Sequence, residues 1–139
     1  MVKKFTIMLE EINYDYKVTK VNIYKDEQFK PEFKKISPFS KIPVIIDHET
    51  KISLFESGAI LIYLGEKSGM FYEKSERTII NQWLMGQMAY VGPMLGQHHQ
   101  FHHYNPGKKV NFGWKKDIFK NFRANFIKNL MKDYHNQSF

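Results

Sequence analysis

The stretch that decides the fold is "KIPVIIDHETKISLFESGAILIYLGEK", residues 41–67. Pro43 begins a β-branched run, and the polar residues 48–51 separate it from a second apolar run, a pattern that predicts an antiparallel hairpin. Ser57 follows directly and precedes apolar residues at helical spacing, so we expect Ser57 to cap a helix. The apolar stripe of this helix includes Ile60, Leu61 and Leu64, and Gly69 is expected to end it.

The N-terminal residues carry another helical pattern. Apolar residues recur there at the spacing of a helix with one buried stripe, namely Phe5, Met8, Leu9 and Ile12. Lys3 and Lys4 stand at the start of this helix, where the helix dipole disfavours cations.

Two shorter elements are predicted between this helix and the hairpin. Residues 16–24 are β-branched and short, which favours a strand. Residues 27–36 predict a short helical piece with Phe29, Phe33 and Ile36 directed inward.

Downstream of Gly69, a further helical stretch is predicted from about Ser75. Gly92-Pro93 interrupts this pattern, and residues 105–107 end it. Its interior side is expected to hold Ile80, Trp83, Leu84, Met85 and Met88.

Composition narrows the class of protein. The 139 residues are 42% hydrophobic, which is enough for a globular core, and they include no cysteine. Any sulfur chemistry must therefore use a thiol that the substrate brings. No long apolar run and no leader pattern stands out, so the cytoplasm is the expected location.

Most of the net charge of +7 belongs to the C-terminal tail. Residues 1–107 hold 13 of the 21 basic and 12 of the 14 acidic side chains, which leaves 8 and 2 for residues 108–139. A nucleic-acid-binding surface needs cations spread over the folded domain and interleaved with aromatic residues, so no nucleic-acid partner is expected.

A candidate ligand site is formed by the residues that directly precede and follow the predicted hairpin. Pro43 leaves the N–H and C=O of Ile42 free to pair with an extended peptide-like ligand. Ser57 at a helix N-terminus suits a carboxylate, Glu56 suits an ammonium, and Lys41 suits a second carboxylate. Glutathione has this arrangement of groups.

Two stretches carry a family resemblance. They are "KISPFSKIPVIIDHETKISLFESGAILIYLGEKSG" (residues 35–69) and "QWLMGQMAYVGPMLGQHHQFHHY" (residues 82–104), and they resemble glutathione transferases, nearest to the bacterial nu-class branch noted for glutathione-dependent disulfide reduction. The resemblance covers about residues 3–107.

The resemblance implies an α/β thioredoxin-like N-terminal domain, with its first strand missing, followed by the start of an all-α domain. The corresponding segments are the glutathione-binding domain at 1–69, the linker and first long helix at 70–107, and an unassigned basic tail at 108–139.

The resemblance also implies how glutathione binds. Ile42-Pro43 would be cis, Ile42 would pair with the cysteinyl backbone, and Lys41 would lie near the glycyl end. Glu56 and Ser57 would hold the γ-glutamyl end. Glutathione would be the thiol substrate, a small electrophile or a disulfide its reaction partner, and the protein a homodimer. The composition adds the expectation of a cytoplasmic protein with no membrane or nucleic-acid partner.

The sequence departs from the family at both ends. In the family a strand and a loop precede the first helix, and that loop stabilises the glutathione thiolate; no counterpart is found here, and the resemblance stops after Pro106. We therefore expect a chain truncated at both ends, with no assignable catalytic residue. Activity is expected to be weak or absent, because a free thiol with a pKa of about 8.5 stays mostly protonated at neutral pH.

Two alternatives from other classes stay open. In "HHQFHH", residues 98–103, the pairs 98/102 and 99/103 have the i, i+4 spacing of metal ligands on a helix, which would suit a metal-binding module. No carboxylate or cysteine accompanies them, so we expect no metal site. The tail pattern Ile118, Phe122, Phe126, Leu130 and Tyr134 predicts a basic amphipathic helix, which a non-catalytic interaction protein could use.

Overall fold

The computed structural model describes residues 3–100. The chain divides into two compact units after Gly92, and each unit is described by itself. The predicted tail helix and the histidines 102 and 103 lie outside the described residues.

Helices predominate among the described residues. In chain order the elements are α1 (Lys3–Glu11), α2 (Pro31–Ile36), β1 (Val44–Asp47), β2 (Ile52–Phe55), α3 (Ser57–Ser68), α4 (Arg77–Gly86), a π-helical segment (Gln87–Val91) and α5 (Gly92–His99). None of these helices has the length and apolar character needed to span a bilayer.

The core of the first unit forms where α1 meets α3. Leu9 and Ile12 pack with Ile60 and Leu64, and Ile60 is fully buried. Partly buried side chains surround this cluster, namely Phe5, Met8, Tyr14, Ile45, Leu54 and Tyr63. The predicted apolar stripe of the first helix is thereby confirmed, and Ile60 and Leu64 of the predicted α3 stripe lie in this core.

The predicted hairpin is also confirmed. Strands β1 and β2 pair antiparallel, with Val44 opposite Phe55 and Asp47 opposite Ile52. This register puts the segment just before β1 and the segment just after β2 at the same end of the hairpin. Helix α3 ends where predicted, because Gly69 takes a left-handed conformation (φ 69°) that glycine adopts without strain.

At the other end of the hairpin, a partly buried ion pair joins Asp47 of β1 to Lys67 of α3. Asp47 Oδ2 accepts hydrogen bonds from Tyr63 Oη at 2.6 Å and from Lys67 Nζ at 2.5 Å, and its Oδ1 accepts from the N–H groups of Glu49 and Thr50. The hydrogen bond from Lys67, followed by that from Tyr63, lowers the pKa of Asp47 below its ordinary value.

Protonating Asp47 should therefore destabilise the fold in acid. A carboxyl whose pKa is lowered by folding stabilises the protein above its unfolded pKa, about 3.9, and this stabilisation is lost as the pH falls further. We expect Asp47→Asn to reduce stability at pH 7 and to lose less stability between pH 7 and pH 3 than the wild type. Urea unfolding at both pH values measures this, with the exposed Asp15→Asn as control; equal acid losses in all three proteins would contradict it.

The predicted strand at 16–24 is wrong. This segment is irregular and leads into a 3₁₀ turn, Ile23–Lys25, in which Asn22 Oδ1 accepts a hydrogen bond from the Tyr24 N–H. A strand needs a neighbour that satisfies its backbone groups, and in the described part of the chain β1 and β2 pair only with each other.

Three predicted interior positions are also wrong. Phe29 ends a 3₁₀ turn (Glu27–Phe29) before Pro31 begins α2, so its side chain is exposed. Trp83 and Met85 on α4 are exposed as well. Apolar spacing identifies one face of a helix, but burial needs another element packed against that face.

Candidate functional site

The loop before β1 is held by Ser37. The Ser37 hydroxyl is fully buried, donates to the Lys41 C=O at 2.8 Å and accepts from the Lys41 N–H at 3.1 Å. The Ser40 N–H donates in turn to the Ser37 C=O. These bonds set the path of the backbone into Lys41 and leave the Lys41 side chain exposed.

Ile42 presents an unpaired backbone at the end of the hairpin. The Ile42-Pro43 peptide bond is cis, as predicted, and Pro43 is buried while Ile42 is exposed. Within residues 3–100, no hydrogen bond uses the N–H or the C=O of Ile42. Both groups are therefore free to pair with an added extended segment.

Glu56 follows β2 directly and lies at this same end of the hairpin. Its backbone has φ 68° and ψ 115°, a conformation that costs a non-glycine residue about 1–3 kcal/mol. Its side chain is exposed, and its C=O accepts the first hydrogen bond of α3, from the Ile60 N–H at 3.0 Å. Strain of this kind concentrates at functional sites, which supports a functional role for Glu56.

The prediction that Ser57 caps α3 is wrong. Glu56 occupies the cap position, and Ser57 is already the first residue of the helix, so its hydroxyl does not bond the N–H groups of the next turn. Ser57 is buried, and its Oγ donates to Met88 Sδ at 3.6 Å. The first N–H groups of α3 lack intrahelical partners, as in any helix, and lie beside this hydroxyl.

Sequence reasoning missed three residues at this helix terminus. Lys4 Nζ, from α1, donates to Gln87 Oε1 at 2.6 Å and to Met88 Sδ at 3.6 Å. The Met88 sulfur is therefore shared by the donors of Lys4 and Ser57. Burial lowers the pKa of Lys4 from its ordinary value. The sequence signal that could have identified Lys4 is its position at the N-terminus of α1, where the helix dipole disfavours a cation.

The assembled groups form a site that has a negative charge at one point and positive charge at another. Glu56 offers a carboxylate, while Ser57, the N-terminus of α3 and Lys4 offer donors and positive charge a short distance away. The free backbone of Ile42 and the cation of Lys41 lie at the same end of the hairpin. This arrangement fits a zwitterionic, peptide-like ligand that carries an ammonium and carboxylates.

Metal binding finds no support in this part of the molecule. Among residues 3–100, no group of three or more His, Cys, Asp or Glu side chains is arranged to hold a metal ion. Of the four histidines of the predicted module, only 98 and 99 fall within the described range.

Comparison with known proteins gives a family and several relatives. Residues 1–66 match the N-terminal domain of glutathione S-transferases. The disulfide-bond oxidoreductase YfcG of Escherichia coli (strain K12) is 51% identical over 110 residues, which are 74% of this chain and 51% of the relative. A second disulfide-bond oxidoreductase of that organism, YghU, is 37% identical over 119 residues, 76% of this chain and 40% of the relative.

Solved structures show the same fold. A glutathione transferase from Pseudomonas putida, with one glutathione disulfide bound per subunit, superposes with a TM-score of 0.72 at 41% identity, over 81% of this chain and 51% of that one. The glutathione transferase URE2P6 from Phanerochaete chrysosporium, in complex with oxidized glutathione, gives a TM-score of 0.82 at 29% identity, over 96% and 63%. The chain spans about half the length of the curated relatives it matches.

Proposed function

Residues 1–66 are a glutathione S-transferase N-terminal domain of the thioredoxin-like fold, and from this premise we propose that the chain binds glutathione at the end of the hairpin where residues 41–43 and 56–57 meet. The observation that carries the proposal is the pair Glu56-Ser57. The strained backbone of Glu56 places an exposed carboxylate next to a buried hydroxyl at the start of α3.

Each part of glutathione has a matching group. The γ-glutamyl ammonium pairs with Glu56, and the γ-glutamyl carboxylate accepts from the Ser57 hydroxyl and the free N–H groups of α3. The cysteinyl backbone pairs with the N–H and C=O of Ile42 as a short added strand. The glycyl carboxylate lies within the field of Lys41.

We propose disulfide reduction as the reaction that glutathione undergoes here, at a low rate at most, because only a small fraction of a free thiol is thiolate at neutral pH. The glutathione thiolate attacks one sulfur of a substrate disulfide, so that a mixed disulfide forms and the other sulfur leaves as a thiolate. A second glutathione then attacks the mixed disulfide, which yields glutathione disulfide and a reduced substrate. The chain has no cysteine, so both attacking thiols come from glutathione.

The relatives support this choice of reaction over conjugation to an electrophile. YfcG and YghU are disulfide-bond oxidoreductases, and the Pseudomonas putida and Phanerochaete chrysosporium structures hold the oxidized form of glutathione. The homodimer, the cytoplasmic location and the domain boundaries at 69 and 107 remain predictions. The interaction-protein and metal-module alternatives have no support among these relatives.

Glutathione affinity should depend on Ser57 and Glu56. Ser57→Ala removes a donor to the γ-glutamyl carboxylate, and Glu56→Gln removes the partner of the ammonium. A hydrogen bond to a charged group contributes about 1.5–3 kcal/mol, so each variant should bind glutathione roughly tenfold to a hundredfold more weakly. Calorimetric titration with reduced glutathione measures the change.

Two exposed positions supply matched controls. Ser53→Ala on β2 and Glu73→Gln before α4 make the same chemical changes away from the site and should leave the affinity within about twofold. His98→Ala should also leave it unchanged. Equal affinity of the wild type and Ser57→Ala, or a loss confined to the histidine variant, would overturn the proposed site.

A further inference from the structure

Met88 is the only acceptor that the structure gives the Ser57 hydroxyl within residues 3–100. Its sulfur lies 3.6 Å from Ser57 Oγ and 3.6 Å from Lys4 Nζ. A thioether is a weak acceptor, whereas a hydroxyl and an ammonium are full donors. Two donors that could bind a carboxylate therefore converge on a group that satisfies neither of them well.

Lys4 is a partly buried cation with neutral partners. Its ammonium bonds the amide oxygen of Gln87 and the sulfur of Met88. The ion pairs of the described residues involve other cations, Lys67 with Asp47 and Glu49, and Arg77 with Glu66. A partly desolvated charge without a counter-ion gains most from the arrival of an anion, because screening by water is already reduced.

The position of Met88 depends on Gly58. A Cβ atom at residue 58 would lie 3.2 Å from Met88 Cγ and 3.5 Å from Met88 Sδ. The thioether therefore rests against the first turn of α3, where the missing side chain of Gly58 leaves room for it. Methionine is unbranched and has three rotatable bonds, so it can leave this position at low cost.

We propose that the Met88 thioether is a resting acceptor that an incoming ligand carboxylate displaces, and that Lys4 then becomes the counter-ion of that carboxylate. This inference rests on the proposed function, and the carboxylate that takes the place of the Met88 sulfur is the γ-glutamyl carboxylate of glutathione. Lys4 and Ser57 keep their places, and the carboxylate oxygens replace the sulfur as their acceptor. Gln87 holds the Lys4 ammonium at the site before and after the exchange.

Lys4→Gln tests the counter-ion role, and Lys3→Gln is its matched control. Lys3 is exposed on the same helix, so its variant makes the same change of net charge without touching Met88. We expect Lys4→Gln to weaken binding of reduced glutathione at least tenfold and Lys3→Gln to change it less than twofold. Raising the salt concentration should weaken wild-type binding more than binding by Lys4→Gln.

A ligand analogue tests whether Lys4 contributes to binding through the γ-glutamyl carboxylate. The analogue is 4-aminobutanoyl-cysteinylglycine, which is glutathione without its γ-glutamyl carboxylate. Wild type and Lys4→Gln should bind it with equal affinity, because the group that Lys4 recognises is absent. A tenfold loss with this analogue as well, or equal glutathione affinities of Lys4→Gln and Lys3→Gln, would overturn the inference.

The displacement of Met88 has its own readout. In a protein labelled at its methionine methyl groups, the Met88 signal, assigned with Met88→Leu, should shift on adding glutathione and stay in place with the analogue. The exposed Met85 serves as internal reference. Met88→Leu should bind glutathione more tightly, by a few-fold, because the ligand no longer replaces an acceptor; a tenfold loss would show that the sulfur itself contacts the ligand and would overturn the inference.

Failure of this inference is distinct from failure of the proposed function. If the wild type binds no glutathione, the proposed function fails and the exchange site fails with it. If the wild type binds glutathione and Ser57→Ala weakens it while Lys4→Gln does not, the glutathione site stands and only the role of Lys4 and Met88 is wrong.

Discussion

Ile60→Ala is expected to lower the free energy of unfolding by about 2–5 kcal/mol, the largest effect that we anticipate for one substitution. Ile60 is 0% exposed and packs from α3 against Leu9 of α1 and against Ile12, which directly follows α1. Alanine would lose the transfer free energy of the removed methyl and methylene groups. It would also leave a cavity that a small core of this kind cannot fill without shifting α1.

Urea unfolding followed by circular dichroism measures this loss, with Ile79→Ala as the control. Ile79→Ala makes the same substitution on α4, but 55% of the surface of Ile79 is exposed. Its free energy of unfolding should therefore fall by less than about 1 kcal/mol. If both variants lose the same free energy, the packing of α3 against α1 does not stabilise the protein as the structure indicates.

Gly65→Ala is expected to destabilise the protein by about 1–3 kcal/mol, although alanine is the better helix former by about 1 kcal/mol. A Cβ atom at residue 65 would lie 2.6 Å from Tyr72 Cβ and 3.3 Å from the Met70 C=O. Neither is the far end of a flexible side chain, so backbone must move to admit the methyl group. This strain outweighs the gain in helix propensity.

Gly86→Ala is the matched control and should change stability in the opposite direction. Gly86 also lies in a helix, α4, and within residues 3–100 a Cβ atom there would meet no atom closer than 4 Å apart from its own helix backbone. We expect it to stabilise the protein by about 0.5–1 kcal/mol through helix propensity alone. Thermal unfolding of the wild type and both variants measures these changes. A higher melting temperature for Gly65→Ala than for the wild type would show that the segment after α3 does not pack against this helix.

The sequence predicted the elements whose signals are local. The β-branched runs on either side of the turn at 48–51 predicted the hairpin, and the apolar stripes predicted α1 and α3, because side-chain periodicity follows directly from strand and helix geometry. The order of Pro43, Glu56 and Ser57 along the hairpin was enough to bring the candidate ligand groups to one end of it. The prediction of a strand at 16–24 was wrong because a β-branched composition does not indicate whether a neighbouring strand is available for pairing.

Only the tertiary structure decided which groups meet at the site and what they do there. Lys4 and Met88 are 84 positions apart, and no spacing in the sequence relates them. Ser57 has the residue type of a cap, yet the backbone of Glu56 starts the helix one position earlier and leaves the hydroxyl to Met88. Gly65 and Gly86 are alike in sequence terms, and they differ because Tyr72 packs against Gly65, whereas no other segment of the described residues approaches Gly86. Local patterns record the preferences of a segment for a conformation and for burial, whereas contacts between distant segments depend on how the elements pack.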